Sequence, residues 1–172
     1  STSRNQTQMA LGGANLMMSR VKQGIIVGFF GTLAFSVLEA VNILFLKMFL
    51  PFPEIIARFI GMPGNLAVGW ALHFAIGTLI LGPLFVYLYP KLPSNTPIAR
   101  GIIFAVACWV GLLLMVTMGG DRRLFSGSDG FGVFGFMLLC HMVFGGVMGN
   151  VLSRLQAREK RAASIIGGAP AH

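Results

Sequence analysis

Charged residues are scarce in this chain. Asp, Glu, Lys and Arg together make up 10% of its 172 residues, whereas a soluble domain carries about 25%. The acidic residues are the rarer group, with five against 13 basic residues. A protein surface with so few charged residues is not fully exposed to water. We therefore expect most of the surface to face lipid, and the class of ordinary soluble domains is excluded.

Cysteines and recognisable catalytic motifs are also few. The two cysteines, Cys108 and Cys140, both fall within apolar stretches, where a structural disulfide is not expected. The sequence contains no phosphate-binding loop, zinc motif, nucleophile elbow or dinucleotide fingerprint. It therefore predicts a protein that is not an enzyme.

Long apolar stretches are what the chain does have, since 55% of its residues are hydrophobic. About 20 apolar residues in a helix cross a hydrocarbon core of ~30 Å, and lipid admits helices where isolated strands would leave backbone groups unpaired. The sequence predicts an all-α fold, a four-transmembrane-helix bundle, in residues 20–155. The expected spans are residues 24–46, 66–89, 98–118 and 131–152, flanked by a polar N-terminal tail (1–19) and a basic cytoplasmic tail (156–172).

The distribution of basic residues predicts the orientation. Four of the 13 Lys and Arg residues fall between spans one and two or between spans three and four: Lys47, Arg58, Arg122 and Arg123. The others lie in the tails and the middle loop, and the side richer in basic residues is normally cytoplasmic. We therefore expect a multi-pass protein of the bacterial inner membrane with both termini in the cytoplasm. The net charge of +8 reflects this topology and not nucleic-acid binding.

The polar tail and two of the loops have distinct compositions. The tail is rich in Ser, Thr, Asn, Gln and Gly and is predicted to be disordered unless a partner holds it. In the first outer loop, Glu54–Met62 places apolar residues on one face and the pair Glu54 and Arg58 on the other, which is typical of a short interfacial helix. The third loop, with Asp121, Arg122 and Arg123, could dock a partner.

A short internal repeat links the two halves of the chain. Lys22–Ile26 resembles Arg100–Ile103, and a His-x-x-x-Gly pattern occurs at His73 and again at His141. Two tandem helical hairpins would explain both matches.

The stretch LHFAIGTLILGPLFVYLYP around His73, together with the overall layout, resembles a family of uncharacterised bacterial four-helix integral membrane proteins. The resemblance covers most of the chain and implies the fold, but it implies no activity.

Three ionisable residues lie deep within the spans: Glu39, His73 and His141. At 1.5 Å per residue, all three fall roughly 10–15 Å below the outer edge of the membrane. Asn42 extends a polar stripe on the helix of Glu39. Because ionisable groups are costly in lipid, three of them at one depth predict an intramembrane polar cluster.

Glycines mark the helix faces on which these residues lie. Small residues let helix backbones approach closely in membranes. The glycines predicted to pack against other helices are Gly24, Gly28, Gly77, Gly145 and Gly149.

The polar cluster has three interpretations. It can be a buried hydrogen-bond network that orders the bundle, for example with Glu39 accepting from a histidine. His73 and His141 can instead bind a cofactor as the two axial ligands of a b-type haem, or a metal ion with Glu39 or Cys140 nearby. Glu39 can also serve a proton or ion relay in a small transport protein.

Size, glycine-lined helix faces and the lack of catalytic motifs favour one function among these. We expect a non-catalytic accessory or assembly subunit of a larger bacterial membrane complex, respiratory or photosynthetic, whose partners are the lipid bilayer and other membrane subunits. The alternatives are a haem- or metal-binding protein that uses His73 and His141, and a proton- or ion-coupled transport protein that uses Glu39.

Overall fold

The computed structural model describes residues 2–118 and 130–167, and all of their regular elements are helices. Two π-helical segments, Asn42–Leu46 and Ile76–Leu81, and a 3-10 turn at Tyr89–Lys91 continue the longer helices. The α-helices are α1 (Thr2–Val41), α2 (Phe52–Phe59), α3 (Leu66–Ala75), α4 (Gly82–Leu88), α5 (Pro97–Met118) and α6 (Gly130–Gly167).

Four helices are long and apolar enough to cross a membrane, which confirms the predicted all-α, four-helix architecture. Their apolar parts are Arg20–Leu46, Leu66–Lys91, Pro97–Met118 and Gly132–Arg161. The second of these consists of α3, the π segment and α4, which follow one another without a break.

The two ends of the chain are more helical than their composition suggests. The N-terminal tail, expected to be disordered unless a partner holds it, is helical, because α1 begins at Thr2 and is 40 residues long. Its polar part is free of proline and includes good helix formers such as Gln, Met, Ala and Leu. At the other end, α6 runs to Gly167, beyond the predicted end of the fourth span at residue 152.

The two long helices form the middle of the bundle. α1 packs against α6 on one side and against the π segment and α4 on the other. α5 packs against α6, and α2 folds back onto α3. The α3–α4 helix and α5 therefore stand on the outside of the α1–α6 pair, and Phe85 and Phe104 bring them into ring contact (centroids 5.2 Å apart).

Glycines lie where the helices approach most closely. On α1, a Cβ at Gly24 would collide with Pro83, and one at Gly28 would lie 2.5 Å from the carbonyl oxygen of Gly77. On α6, side chains at Gly145 and Gly149 would collide with the backbone of α5, at Gly101 and Pro97 respectively. The predicted packing glycines therefore lie at two crossings, α1 with α3–α4 and α5 with α6.

These crossings do not follow the internal repeat in detail. Gly82 lies against the carbonyl of Gly24, just as Gly145 lies against the carbonyl of Gly101. In the His-x-x-x-Gly pattern, however, the sequence equivalent of Gly145 is Gly77 and not Gly82. The nearest neighbour of a Cβ at Gly77 is Thr32. The two hairpins thus share a glycine crossing, but their histidines do not occupy equivalent positions.

The π segment Ile76–Leu81 lies immediately before Gly82 and Pro83. Proline has no N–H to donate, and its ring crowds the carbonyl group four residues earlier, here that of Leu79. Local widening of the helix accommodates that crowding, and π segments are frequent at functional sites. This segment places Ile76, Gly77 and Leu81 on the wall of a cavity.

The third loop, with the predicted docking surface at Asp121, Arg122 and Arg123, lies outside the described residues.

Candidate functional site

Glu39 lies on α1 with 1% of its surface exposed. Its Oε1 accepts from the backbone N–H of Phe52 (3.1 Å) and from Asn42 Nδ2 (3.3 Å). Phe52 is the first residue of α2, and the first N–H groups of a helix have no partner within it. A carboxylate is also favoured at the positive end of a helix dipole. Glu39 therefore ties the start of α2 to the C-terminal end of α1.

Asn42 holds the chain between these two helices. Its Nδ2 donates to the carbonyl of Phe49 (3.0 Å), and the N–H of Phe49 donates back to its Oδ1 (3.2 Å). The chain reverses at Lys47, the only non-glycine residue with positive φ (52°) in the described part of the chain. The predicted pair Glu39 and Asn42 thus acts on the backbone that leads into α2, and neither bond involves a histidine.

The predicted interfacial helix is present as α2, but one of its faces is buried. Ile55 is 3% exposed, and a side chain at Gly69 of α3 would collide with the carbonyl of Pro53. The expected pair is formed, with Arg58 Nε 2.7 Å from Glu54 Oε1. Glu54 also accepts from the N–H of Gly64. α2 is therefore locked against α3, at the end of the bundle where α1 ends and α3 begins.

His73 on α3 is hydrogen-bonded to α1, with Nε2 3.2 Å from Ser36 Oγ. The Ser36 hydroxyl donates its single proton to the carbonyl oxygen of Thr32 (2.7 Å). With that proton placed on the bond to Thr32, Ser36 accepts from His73, which assigns a proton to Nε2 of the ring. In the neutral imidazole the other nitrogen, Nδ1, is then left with a free lone pair.

His141 on α6 is held by its own helix. Its Nδ1 lies 2.7 Å from the carbonyl oxygen of Met137, one turn earlier. Because a carbonyl oxygen can only accept, Nδ1 of His141 carries the proton. In the neutral ring Nε2 is therefore the nitrogen with the lone pair. Each histidine thus uses one N–H to fix its ring and keeps one hydrogen-bond acceptor.

Two phenylalanines join the histidines into one cluster. The ring of Phe35 lies 4.9 Å from that of His73 and 5.2 Å from that of His141. The ring of Phe52 lies 5.4 and 5.9 Å from the same two rings. His73, His141 and the residues that hold α2 therefore meet around Phe52, the residue whose N–H is bound by Glu39.

The histidine cluster forms the inner wall of a cavity of about 470 Å³. α3 with the π segment and α5 form its sides, α1 and α6 its back, and α2 its cover. Apart from Thr32, His73, Cys108 and His141, the lining residues are apolar: Phe35, Phe52, Ile55, Ile56, Phe59, Ile60, Leu72, Ile76, Gly77, Leu81, Gly111, Leu112, Met115, Val116 and Phe144.

The mouth of the cavity lies on the side of the bundle. Five lining residues are exposed, namely Gly111, Phe59 (51%), Ile60 (43%), Ile76 (38%) and Met115 (45%). Ile76 and Met115 belong to two different apolar spans. The opening is therefore at the depth of the bilayer and is bordered by apolar side chains.

The sequence did not point to the cavity or to its aromatic wall. Phe35 and Phe52 are two of 15 phenylalanines, and nothing in their spacing distinguishes them. One signal was available in Gly82-Pro83, because a proline within a span predicts a distorted segment just before it. Glu39 does not line the cavity, although the depth count placed it beside the histidines.

The histidine pair fits axial ligation of a haem poorly. The free nitrogen of His73 is Nδ1, which is next to the ring carbon that carries Cβ. Ligation of a haem iron through Nε2 of His73 would break the bond to Ser36. No group of three or more His, Cys, Asp or Glu residues that could hold a metal ion occurs within residues 2–118 and 130–167. The arrangement favours hydrogen bonding to a ligand.

Fold and site together define a four-helix bundle suited to a membrane, with a histidine-walled cavity that opens on its side. The chain belongs to DUF6789, a family of unknown function, whose profile matches residues 18–163. This agrees with the resemblance that the sequence suggested. No curated protein and no solved structure matches the chain.

Proposed function

We propose that this protein is a non-catalytic accessory subunit of a bacterial inner-membrane complex that holds a lipid-soluble molecule inside its helix bundle. The observation that carries the proposal is the cavity between α3–α4 and α5, with its lateral mouth. Its volume falls within the range of about 300–1,000 Å³ that is common for small-molecule sites.

The walls of the cavity suit a largely apolar ligand. Aliphatic and aromatic side chains cover the sides, and the polar side chains are few and gathered mainly near the back wall. Such a division is typical of sites in which apolar surface supplies affinity and a few polar groups fix orientation. Because the mouth is bordered by exposed apolar residues of the spans, such a ligand can enter from the bilayer.

Native mass spectrometry of protein extracted in a mild detergent tests this binding. We expect a small apolar molecule to remain bound to the wild type. Gly111 lines the cavity, and a Cβ placed there meets nothing within 4 Å, so Gly111→Phe should fill the cavity without straining the helix. The matched control is Gly135→Phe on α6, where a Cβ also meets nothing and which does not line the cavity.

The expected result is loss of the bound mass in Gly111→Phe and its retention in Gly135→Phe. A wild type that carries no small molecule, and that takes up none from added lipid extract, would contradict the proposal. Equal retention in both variants would place the molecule elsewhere on the protein.

The length of α1 supports the role as a subunit. Forty residues at 1.5 Å each give about 60 Å of helix, roughly twice the thickness of the hydrocarbon core. The part before Arg20 is polar in composition and precedes the apolar span. A segment that extends beyond the apolar span gains little from packing within its own bundle, and a partner protein would stabilise it.

Native gel electrophoresis after mild extraction from the source membrane tests this role. We expect the protein to migrate within a larger complex. Deletion of residues 2–19 should release it as a free four-helix unit, whereas deletion of residues 168–172 should not. Migration of the full-length protein as a free monomer only would refute the subunit proposal and leave the ligand proposal standing.

A further inference from the structure

We infer that the molecule held in the cavity has an aromatic head with hydroxyl groups, as in a lipid-soluble phenol or hydroquinone, and that His73 and His141 accept its hydroxyl protons. The inference rests on the proposed function, since it requires the cavity to be a binding site. It goes further in naming the chemical class of the ligand.

The positions of two protons support it. With the Ser36 hydroxyl donating to Thr32, Nε2 of His73 is the donor, and Nδ1 is left as the acceptor. The carbonyl of Met137 requires Nδ1 of His141 to be a donor, which leaves Nε2 as the acceptor. Both histidines line the cavity, and in its neutral form each ring keeps one acceptor nitrogen. A complementary head must donate hydrogen bonds.

The shape and chemistry around these nitrogens favour a ring. Phe35 and Phe52 contact both histidines, and Phe144 completes the aromatic part of the wall. Flat rings pack well in such surroundings, edge-to-face or offset. Thr32, whose Oγ1 is buried and has no hydrogen-bond partner among the described residues, lies on the same wall. An apolar tail can then extend past Ile76 and Met115 into the bilayer.

The same wall discriminates against heads that only accept. A quinone, an ester or a methyl ether would bring oxygen lone pairs towards nitrogen lone pairs, with no proton between them. Burial of unpaired polar groups costs free energy, most of all where water is excluded. The preference of the cavity for a hydrogen-bond donor therefore follows from the hydrogen bonds of Ser36 and Met137, each of which uses one ring nitrogen of a histidine.

Two probes of nearly equal shape test the inference without redox chemistry. These are 4-decylphenol, which has one hydroxyl donor, and 4-decylanisole, in which a methyl group replaces the proton. Both are titrated into the full-length protein in lipid nanodiscs, and binding is measured by native mass spectrometry. A hydrogen bond is worth roughly 1 kcal/mol net, so we expect the phenol to bind about fivefold to tenfold more tightly.

Variants then assign the preference to the histidines. His141→Phe removes one of the two acceptors and should lower the phenol-to-anisole affinity ratio, and the double change with His73→Phe should bring the ratio close to one. His141→Gln, whose amide oxygen can accept, should keep part of the preference. The affinity for the anisole is the control in each variant, because it reports whether the cavity is intact but does not depend on a donor.

The outcomes separate this inference from the proposed function. If wild-type protein binds phenol and anisole equally, the inference is overturned and the cavity remains a site for apolar molecules. If it binds neither probe and carries no small molecule of its own, the proposed function fails. If His141→Phe and the corresponding His73→Phe both keep the full preference, the head lies elsewhere in the cavity.

Discussion

Glu39 illustrates how a single ionisable side chain can be accommodated inside an apolar bundle. Its carboxylate accepts from Phe52 N–H and from Asn42, and Asn42 in turn exchanges two hydrogen bonds with the backbone of Phe49. The bonds place the start of α2 against α1, and with it the ring of Phe52 against both histidines. Glu39 therefore does not line the cavity, but it holds Phe52, which does.

Removal of the acceptor at position 39 should destabilise the fold. We expect Glu39→Ala to lower the free energy of unfolding by about 1–3 kcal/mol, because the buried N–H of Phe52 and the amide of Asn42 lose their partner. Glu39→Gln keeps an oxygen at the same place and should lose less. Thermal unfolding in detergent, followed by circular dichroism, measures both. Equal losses of stability in Glu39→Ala and Glu39→Gln would show that the negative charge of Glu39 stabilises the fold and its role as a hydrogen-bond acceptor does not.

Counting residues from the ends of the spans predicted that Glu39, His73 and His141 lie at one depth. The structure brings His73 and His141 together around Phe35 and Phe52, and connects Glu39 to them through Phe52. The partners themselves could not be predicted. They depend on the reversal at Lys47 and on α2 folding inward, and neither follows from hydropathy.

At the scale of elements, the crossing of α5 and α6 depends on the absence of side chains at a few positions. A Cβ on Gly145 would collide with the carbonyl of Gly101, a backbone atom that cannot move away alone. Gly146, the next residue, has room, because the nearest atom to a Cβ there is 3.8 Å away. Alanine substitutions at these two neighbouring glycines can therefore be compared directly, because only Gly145 lies in the tight crossing.

We expect Gly145→Ala to reduce stability by about 1–3 kcal/mol through separation of the two helices. Gly146→Ala should be neutral or stabilising by up to about 1 kcal/mol, since alanine favours helix over glycine. Unfolding in detergent compares them directly. A Gly145→Ala protein as stable as the wild type would mean that α5 can shift along α6 at little cost.

The glycine spacing predicted faces of contact, but it could not say which helices would meet there. In the structure Gly77 faces Thr32 on α1, and Gly145 faces α5. A glycine stripe indicates close approach but carries no information on the identity of its neighbour.

For the molecule as a whole, the orientation in the membrane stays a prediction. Both termini and the loop at Ser94 are expected in the cytoplasm, and α2 outside. Cysteines introduced at Asn95 and Met62, both exposed, should report the two sides in a background without Cys108 and Cys140. An impermeant thiol reagent applied to intact cells should label position 62 only. Labelling at position 95 and not at position 62 would show that the orientation is the opposite of the one predicted.

The lateral mouth of the cavity determines how its occupancy will respond to the surroundings. A molecule that arrives through Ile76 and Met115 is drawn from the bilayer. The quantity that governs binding is then its mole fraction among the lipids, not its molarity in the aqueous phase. Adding detergent dilutes the ligand within the apolar phase even when the volume of the sample is unchanged. Occupancy should therefore fall as the ratio of detergent to protein rises, and persist when the sample is diluted with buffer at a fixed ratio.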